Sequence, residues 1–275
     1  MAQKTISFVK MSGAGNDFLV LEAEKGRNYK KLAINSCDRT NGIGADGLLI
    51  LDTSEKSDFK MRIINADGSE AEMCGNGARC MAAYIAANKK PHKKIFSMET
   101  LAGEILAKVE GETVQVRLSN PKDYRSDIPL EINSRVIHAH YIDTGVPHAV
   151  IYVEGLKKID VAGIGRTVRY HKAFEPRGTN VDFIEQLEPG LVAVRTYERG
   201  VENETKACGT GAVASAIISY IKANPGHVNI KNGQMNVRTT SGEILNVSFD
   251  KNNDEFYNIW LTGSAKLIAK GEYFL

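Results

Sequence analysis

Met73-Cys74-Gly75-Asn76-Gly77-Ala78 and Ala207-Cys208-Gly209-Thr210-Gly211-Ala212 are two copies of one pattern, 134 residues apart. Three fainter echoes run in the same order. Gly103-Glu104-Ile105-Leu106 returns as Gly242-Glu243-Ile244-Leu245, and Gly44-Ala45-Asp46-Gly47 returns as Gly178-Thr179-Asn180-Val181. Ser12-Gly13 leading into Asp17-Phe18-Leu19-Val20 returns as Thr144-Gly145 leading into Pro147-His148-Ala149-Val150. Any one match could be chance, but four in order at similar offsets mark an internal duplication. The halves, residues 1–120 and 121–265, meet at Ser119-Asn120-Pro121-Lys122-Asp123, a polar stretch whose proline suits a linker.

Each half carries short alternating β-branched runs, among them Thr113–Leu118, Ala149–Val153, Leu191–Val194, Met235–Arg238 and Tyr257–Leu261. Each also has one strong helix, opening just after its Cys-Gly-x-Gly. In the first, Ala78, Met81, Ala82 and Ile85 fall at i, i+3, i+4 and i+7. In the second, Ala212 to Ile221 is apolar almost all round, which predicts a helix buried on every side. The expected fold class is α+β: two pseudo-symmetric halves, each a curved, mostly antiparallel sheet wrapped round a central helix.

The chain has 275 residues, 43% hydrophobic and 25% charged, as in an ordinary globular protein. Its net charge of +2 gives no electrostatic footprint for nucleic acid or an anionic membrane. MAQKTISFVK lacks the apolar core of a leader, and no apolar stretch approaches the length of a membrane span. Four cysteines are too few for a disulfide framework, so a cytoplasmic protein with reduced thiols is expected.

Cys74 and Cys208 stand where helices begin. There the first N–H groups lack intrahelical partners, and the helix dipole is equivalent to about +0.5 charge. The glycines that follow let an anion approach this backbone closely. The same field lowers a thiol pKa, so both cysteines are expected to favour thiolate. If the halves pack about a pseudo-two-fold axis, both helix starts face one cleft. An amino-acid carboxylate held there would have its charge dispersed as the α-proton leaves. One sulfur can then remove that proton while the other delivers a new one to the opposite face. Cys74 and Cys80 fall about 240° apart round a helix and are not a same-face metal pair. No histidine or carboxylate spacing completes a zinc site, so neither metal nor cofactor is expected. Cys37 and Cys80 read as small core residues.

The chain resembles the diaminopimelate epimerase family nearly end to end. The resemblance is carried by Gly13-Ala14-Gly15-Asn16-Asp17-Phe18, Asn65-Ala66-Asp67-Gly68-Ser69-Glu70, Cys74-Gly75-Asn76-Gly77-Ala78-Arg79-Cys80, Tyr197-Glu198-Arg199-Gly200 and Ala207-Cys208-Gly209-Thr210-Gly211. It implies a cofactor-independent epimerase of lysine and peptidoglycan-precursor synthesis, acting on a small amino acid. By the same resemblance Cys74 and Cys208 are the acid–base pair, and Gly75, Asn76, Gly209 and Thr210 hold the reacting carboxylate. Asn16, Asn65, Asn180, Glu198 and Arg199 match substrate contacts, and His148 and Glu198 match positions that tune the thiols. The resemblance further implies a homodimer, and a last strand, residues 266–275, that returns to the first half. Two departures stand out. Val146 replaces the asparagine of a Gly-Asn-Pro-His motif, and Gly47 replaces a glutamine that follows the aspartate in some members.

Bland readings stand beside these. A turn role is the alternative for Asn16, Asn65 and Asn180, Glu198-Arg199 could be a mere turn pair, and a lone His148 could be structural. A proline or hydroxyproline racemase shares the two-thiol design but predicts a small closed pocket. A thiol redox protein or ligand-binding module predicts a Cys-x-x-Cys motif, and the chain has none.

Overall fold

The computed structural model describes residues 4–132, 134–253 and 255–275. The first three residues of the first half, and of the segment read for a leader, therefore lie outside the described residues. The chain divides into two compact units, Met1–Val116 with Gly263–Leu275, and Arg117–Thr262.

In the first unit the order is β1 (Thr5–Gly13), β2 (Asn16–Glu22), α1 (Tyr29–Ser36), β3 (Gly47–Asp52), β4 (Phe59–Asn65), β5 (Glu70–Ala71), α2 (Gly75–Asn88), β6 (Ile95–Thr100), β7 (Gly103–Glu110) and β8 (Thr113–Arg117). The second unit follows with β9 (Lys122–Ile132), β10 (Arg135–Asp143), β11 (Pro147–Tyr152), α3 (Val161–Arg169), β12 (Asn180–Glu188), β13 (Leu191–Glu198), β14 (Asn203–Thr205), α4 (Gly209–Ala223), β15 (Asn229–Arg238), β16 (Ile244–Asn252) and β17 (Glu255–Ser264). The last strand, β18 (Lys266–Phe274), pairs antiparallel with β1.

The two units repeat one pairing scheme. In the first, β1–β2 is antiparallel, β2–β3 parallel, β3–β4 antiparallel, β4–β6 parallel and β6–β7 antiparallel. In the second, β10–β11, β11–β12, β12–β13, β13–β15 and β15–β16 follow the same sequence of senses. The fold is thus a mixed sheet with few helices in two pseudo-repeat halves. The parallel pairs arise where a helix crosses between strands: α1 and α3 before β3 and β12, α2 and α4 before β6 and β15.

Period-two alternation assigns each strand two faces. On β3, Leu48 and Ile50 join Leu32 and Ala33 of α1 in one core; on β12, Val181 and Phe183 join Val161 and Val168 of α3 in another. The alternate residues, Leu49 and Asp182, face α2 and α4. This register corrects the sequence echo by one residue. Phe18 pairs with Gly47 and His148 with Asn180, so Gly47 occupies the place of Asn180 rather than that of Val181. The face alternation enforces the shift, because a one-residue slip would turn Leu48 and Ile50 out of their core.

The central helices are engulfed. Every residue of α4 from Gly209 to Ser219 is buried except Thr210, with β10, β11, β12, β13, β15 and β16 packed around it. Burial of α2 is wider than the stripe of Ala78, Met81, Ala82 and Ile85, because Arg79 and Cys80 are buried too. No helix among the described residues is long and apolar enough to cross a membrane.

Candidate active site

Cys74 is the N-cap of α2. Its backbone is extended, its carbonyl accepts the first helical bond from Ala78 at 2.8 Å, and its Sγ accepts the Gly77 N–H at 3.4 Å. A thiol in this role replaces the usual serine or aspartate oxygen and holds the sulfur at the positive end of the helix. Asn76 is buried in the first turn; its Nδ2 donates to Asn16 Oδ1 at 2.7 Å, and its Oδ1 accepts from Arg79 at 2.9 Å. Asn16 in turn donates to Asp46 at 2.8 Å, so its carboxamide orients Asn76. Arg39 bridges Asp46 and Asp17, both at 2.7 Å. Burial would raise the Asp17 carboxyl, but Arg39 and Lys10 outweigh it and hold the group below its usual range. Asn65 sits exposed at the end of β4 in a turn, donating to Ser69 at 2.9 Å. It pairs with Gly47 across the ladder, and its neighbour Ala66 donates to the Asp46 carbonyl, so this turn abuts the Asp46 network.

Cys208 is the N-cap of α4, also extended, with its carbonyl accepting from Ala212 at 2.9 Å. Its Sγ lies 3.4 Å from Thr210 Oγ1. Thr210 Oγ1 is 2.9 Å from His148 Nε2, and His148 Nδ1 is 2.7 Å from Asp182. Asn180 Oδ1 accepts the Arg199 N–H at 2.8 Å, and its Nδ2 donates to the Pro147 carbonyl at 3.0 Å. The Arg199 guanidinium reaches the Arg177 carbonyl at 3.4 Å. Glu198, at the end of β13, has its carboxyl raised by burial, with the Thr205 hydroxyl and then His148 opposing.

The structure therefore gathers Gly75, Asn76 and Asn16 at the Cys74 helix start, and His148, Asn180, Glu198, Arg199, Gly209 and Thr210 at the Cys208 helix start. It also corrects one expectation. Burial, with Glu198 and Asp182 nearby, pushes the Cys208 thiol well above its ordinary value, despite the helix start. Dipole stabilisation falls off within a turn, whereas a fully desolvated sulfur beside carboxylates loses far more. Cys37 and Cys80 are buried, and burial pushes Cys37 up to about 11.

The glycines at equivalent places serve different neighbours. A Cβ on Gly211 would stand 2.4 Å from Asp182 Oδ1, whereas one on Gly77 would meet the flexible end of Leu49 at 3.0 Å. Gly211→Ala is accordingly expected to destabilise the fold by about 1–3 kcal/mol through overpacking, and Gly77→Ala by less. Denaturant unfolding of both variants checks this; an equal or reversed order would refute the asymmetry.

A family model described as "Diaminopimelate epimerase" matches residues 8–122 and 140–268. The chain belongs to the diaminopimelate epimerase family. Among its relatives, the diaminopimelate epimerase of Aquifex aeolicus (strain VF5) is 39% identical, covering 97% of each chain. That of Carboxydothermus hydrogenoformans is 40% identical over 98% of this chain and 100% of the relative. Solved structures share the fold at low identity. A phenazine biosynthesis protein of the PhzF family from Bacillus anthracis gives a TM-score of 0.74 at 16% identity, covering 99% and 100% of the two chains. A probable proline racemase from Agrobacterium radiobacter K84 gives 0.71 at 14%, covering 97% and 92%.

Three residues of this diaminopimelate epimerase family member escaped the motif reading. Asp46 and Arg79 lay inside quoted motifs yet carried no assigned role; they orient Asn16 and Asn76. Asp182 carried a usable signal, since it lies two residues past Asn180 and so shares its strand face.

Proposed function

We propose that this chain interconverts LL- and meso-diaminopimelate without a cofactor, in lysine and peptidoglycan-precursor synthesis, with Cys74 and Cys208 as the acid–base pair. The observation that carries the proposal is a cysteine N-cap at both repeated helix starts, in a chain about 40% identical to named diaminopimelate epimerases over nearly full length. The N–H groups of Gly75, Asn76, Gly209 and Thr210 receive the reacting carboxylate, where they disperse charge as an enolate-like anion forms. Inversion requires the two sulfurs to meet one α-carbon from opposite faces, at about 3–3.5 Å. Burial pushes the Cys208 thiol up, so this sulfur donates in one direction of the reaction and must lose its proton before it can serve as the base in the other. His148 and Glu198 tune Cys208, while Asn16, Asn65, Asn180, Glu198 and Arg199 form the contacts to the rest of the substrate.

Incubating the protein with LL-diaminopimelate in deuterated water and excess chelator tests this reading. Deuterium should enter the α-position as the meso form appears; product without label, or activity abolished by chelator and restored by metal, refutes it. The ligand on this reading is a small amino acid, neither nucleic acid nor membrane, and the enzyme is cytoplasmic. It is also a homodimer, as the family resemblance implies; a monomer by light scattering would remove that part.

A further inference from the structure

The residues behind the two cysteines differ. With Phe18 matched to His148 and Leu49 to Asp182 by strand register, the first half holds buried apolar side chains where the second holds an imidazole and a carboxylate. The two glycine contacts establish the match independently: Leu49 is the neighbour of Gly77, and Asp182 of Gly211. Both His148 and Asp182 side chains are 0% exposed.

The hydrogen bonds in this cluster have a direction. The Asp182 carboxylate accepts from Thr196 Oγ1 at 2.7 Å and faces His148 Nδ1, so the ring proton belongs on Nδ1. At the other side of the ring, Nε2 meets the Thr210 hydroxyl at 2.9 Å and the Asn180 amide at 3.5 Å. The Asn180 amide is oriented by the Arg199 N–H on its oxygen, so it turns N–H toward Nε2. With the proton on Nδ1 and the Asn180 N–H facing Nε2, the lone pair lies on Nε2 and the Thr210 hydroxyl donates to it. With its hydrogen given to Nε2, Thr210 Oγ1 is left to accept from the Cys208 S–H, 3.4 Å away.

We propose that Asp182 is a positioning residue that sets the His148 tautomer, and that His148 takes the Cys208 proton through the Thr210 hydroxyl. The inference rests on the acid–base role given to Cys208 above. In the step, the S–H bond breaks as the sulfur proton passes to Thr210 Oγ1, while the threonine proton passes to His148 Nε2. The products are thiolate and imidazolium, the latter held against the Asp182 carboxylate. Burial and the nearby carboxylates disfavour the Cys208 thiolate, so this sulfur gains most from a base at hand. The charged and titratable groups facing the relay are Asp182 from β12, Glu198 from β13 and Cys208 at the head of α4.

Full-length protein carrying Asp182→Asn, Thr210→Val or Thr210→Ser tests the relay, with folding checked by circular dichroism. Asp182→Asn and Thr210→Val should lower kcat about 100-fold with KM within about threefold. Thr210→Ser, which keeps the hydroxyl, should recover at least about tenfold of the valine loss. Nitrogen-15 spectra of the parent should show the neutral His148 ring protonated at Nδ1. Iodoacetamide labelling of the Cys208 peptide at pH 8, with no substrate present, should slow about tenfold in the asparagine and valine variants. Labelling or turnover at the parental rate in Thr210→Val overturns the relay, as does a parent ring protonated at Nε2. A parent that exchanges no α-proton of diaminopimelate instead sinks the proposed function, and the labelling rates still judge the relay.

Discussion

Replacing Cys74 or Cys208 by serine is expected to lower kcat by about a thousandfold or more while leaving the fold in place. Such a loss corresponds to about 4 kcal/mol of transition-state stabilisation. The chemical reason is acidity: a hydroxyl ionises many units above a thiol, so it neither takes the α-proton readily nor exists as its own conjugate base. The structural reason that the fold survives lies in the backbone. Both cysteines are extended N-caps whose carbonyls already accept the first helical bond, and serine is among the side chains best suited to that position. Each variant is therefore expected to melt within a few degrees of the parent. Deuterium exchange and polarimetry on LL-diaminopimelate measure the chemistry, and circular dichroism the fold. A folded serine variant at either position that turned over near the parental rate would end the two-thiol mechanism.

Substrate choice carries the second large effect. On the proposed mechanism the two helix starts receive one carboxylate, and a racemase for short amino acids would need little else. Asn180, Glu198 and Arg199 add an amide, a carboxyl and a cation, and the Arg199 backbone and side chain are both tied down, to Asn180 Oδ1 and the Arg177 carbonyl. A guanidinium held in this way matches a second carboxylate through parallel hydrogen bonds. Polar groups left without partners cost about 1–3 kcal/mol each, so lysine or proline should be poorer than diaminopimelate by about two orders of magnitude or more in kcat/KM. Arg199→Met should erode the preference chiefly by raising KM, since the lost contact is made in ground and transition states alike. By the family resemblance Val146 and Gly47 stand where other members carry polar side chains, and the register places Gly47 at the position matching Asn180, so on the proposed reading the distal contacts rest more on the second half. Comparable turnover of lysine or proline by the parent would refute distal recognition.

What the sequence determined by itself is short-range. Cys-Gly-x-Gly at the head of an apolar run specifies an N-cap, open N–H groups and close backbone approach, because capping geometry is settled within four residues. Its recurrence 134 residues later is a property of the string alone, and two halves with one engulfed helix each follow from it. The family resemblance and the sites it carries rest on the same contiguous blocks. What only the tertiary structure decided depends on residues distant in the chain. Asp182 meets His148 across 34 positions because β11 and β12 pair in parallel and present alternate side chains to α4. The one-residue register shift that matches Gly47 to Asn180 is set by which face reaches the core, and the motif echoes carry no such information. Likewise, the helix start argued for a lowered thiol at Cys208, but burial beside Glu198 and Asp182 pushes it up. A dipole belongs to the local segment that makes it, whereas desolvation belongs to everything packed around the sulfur.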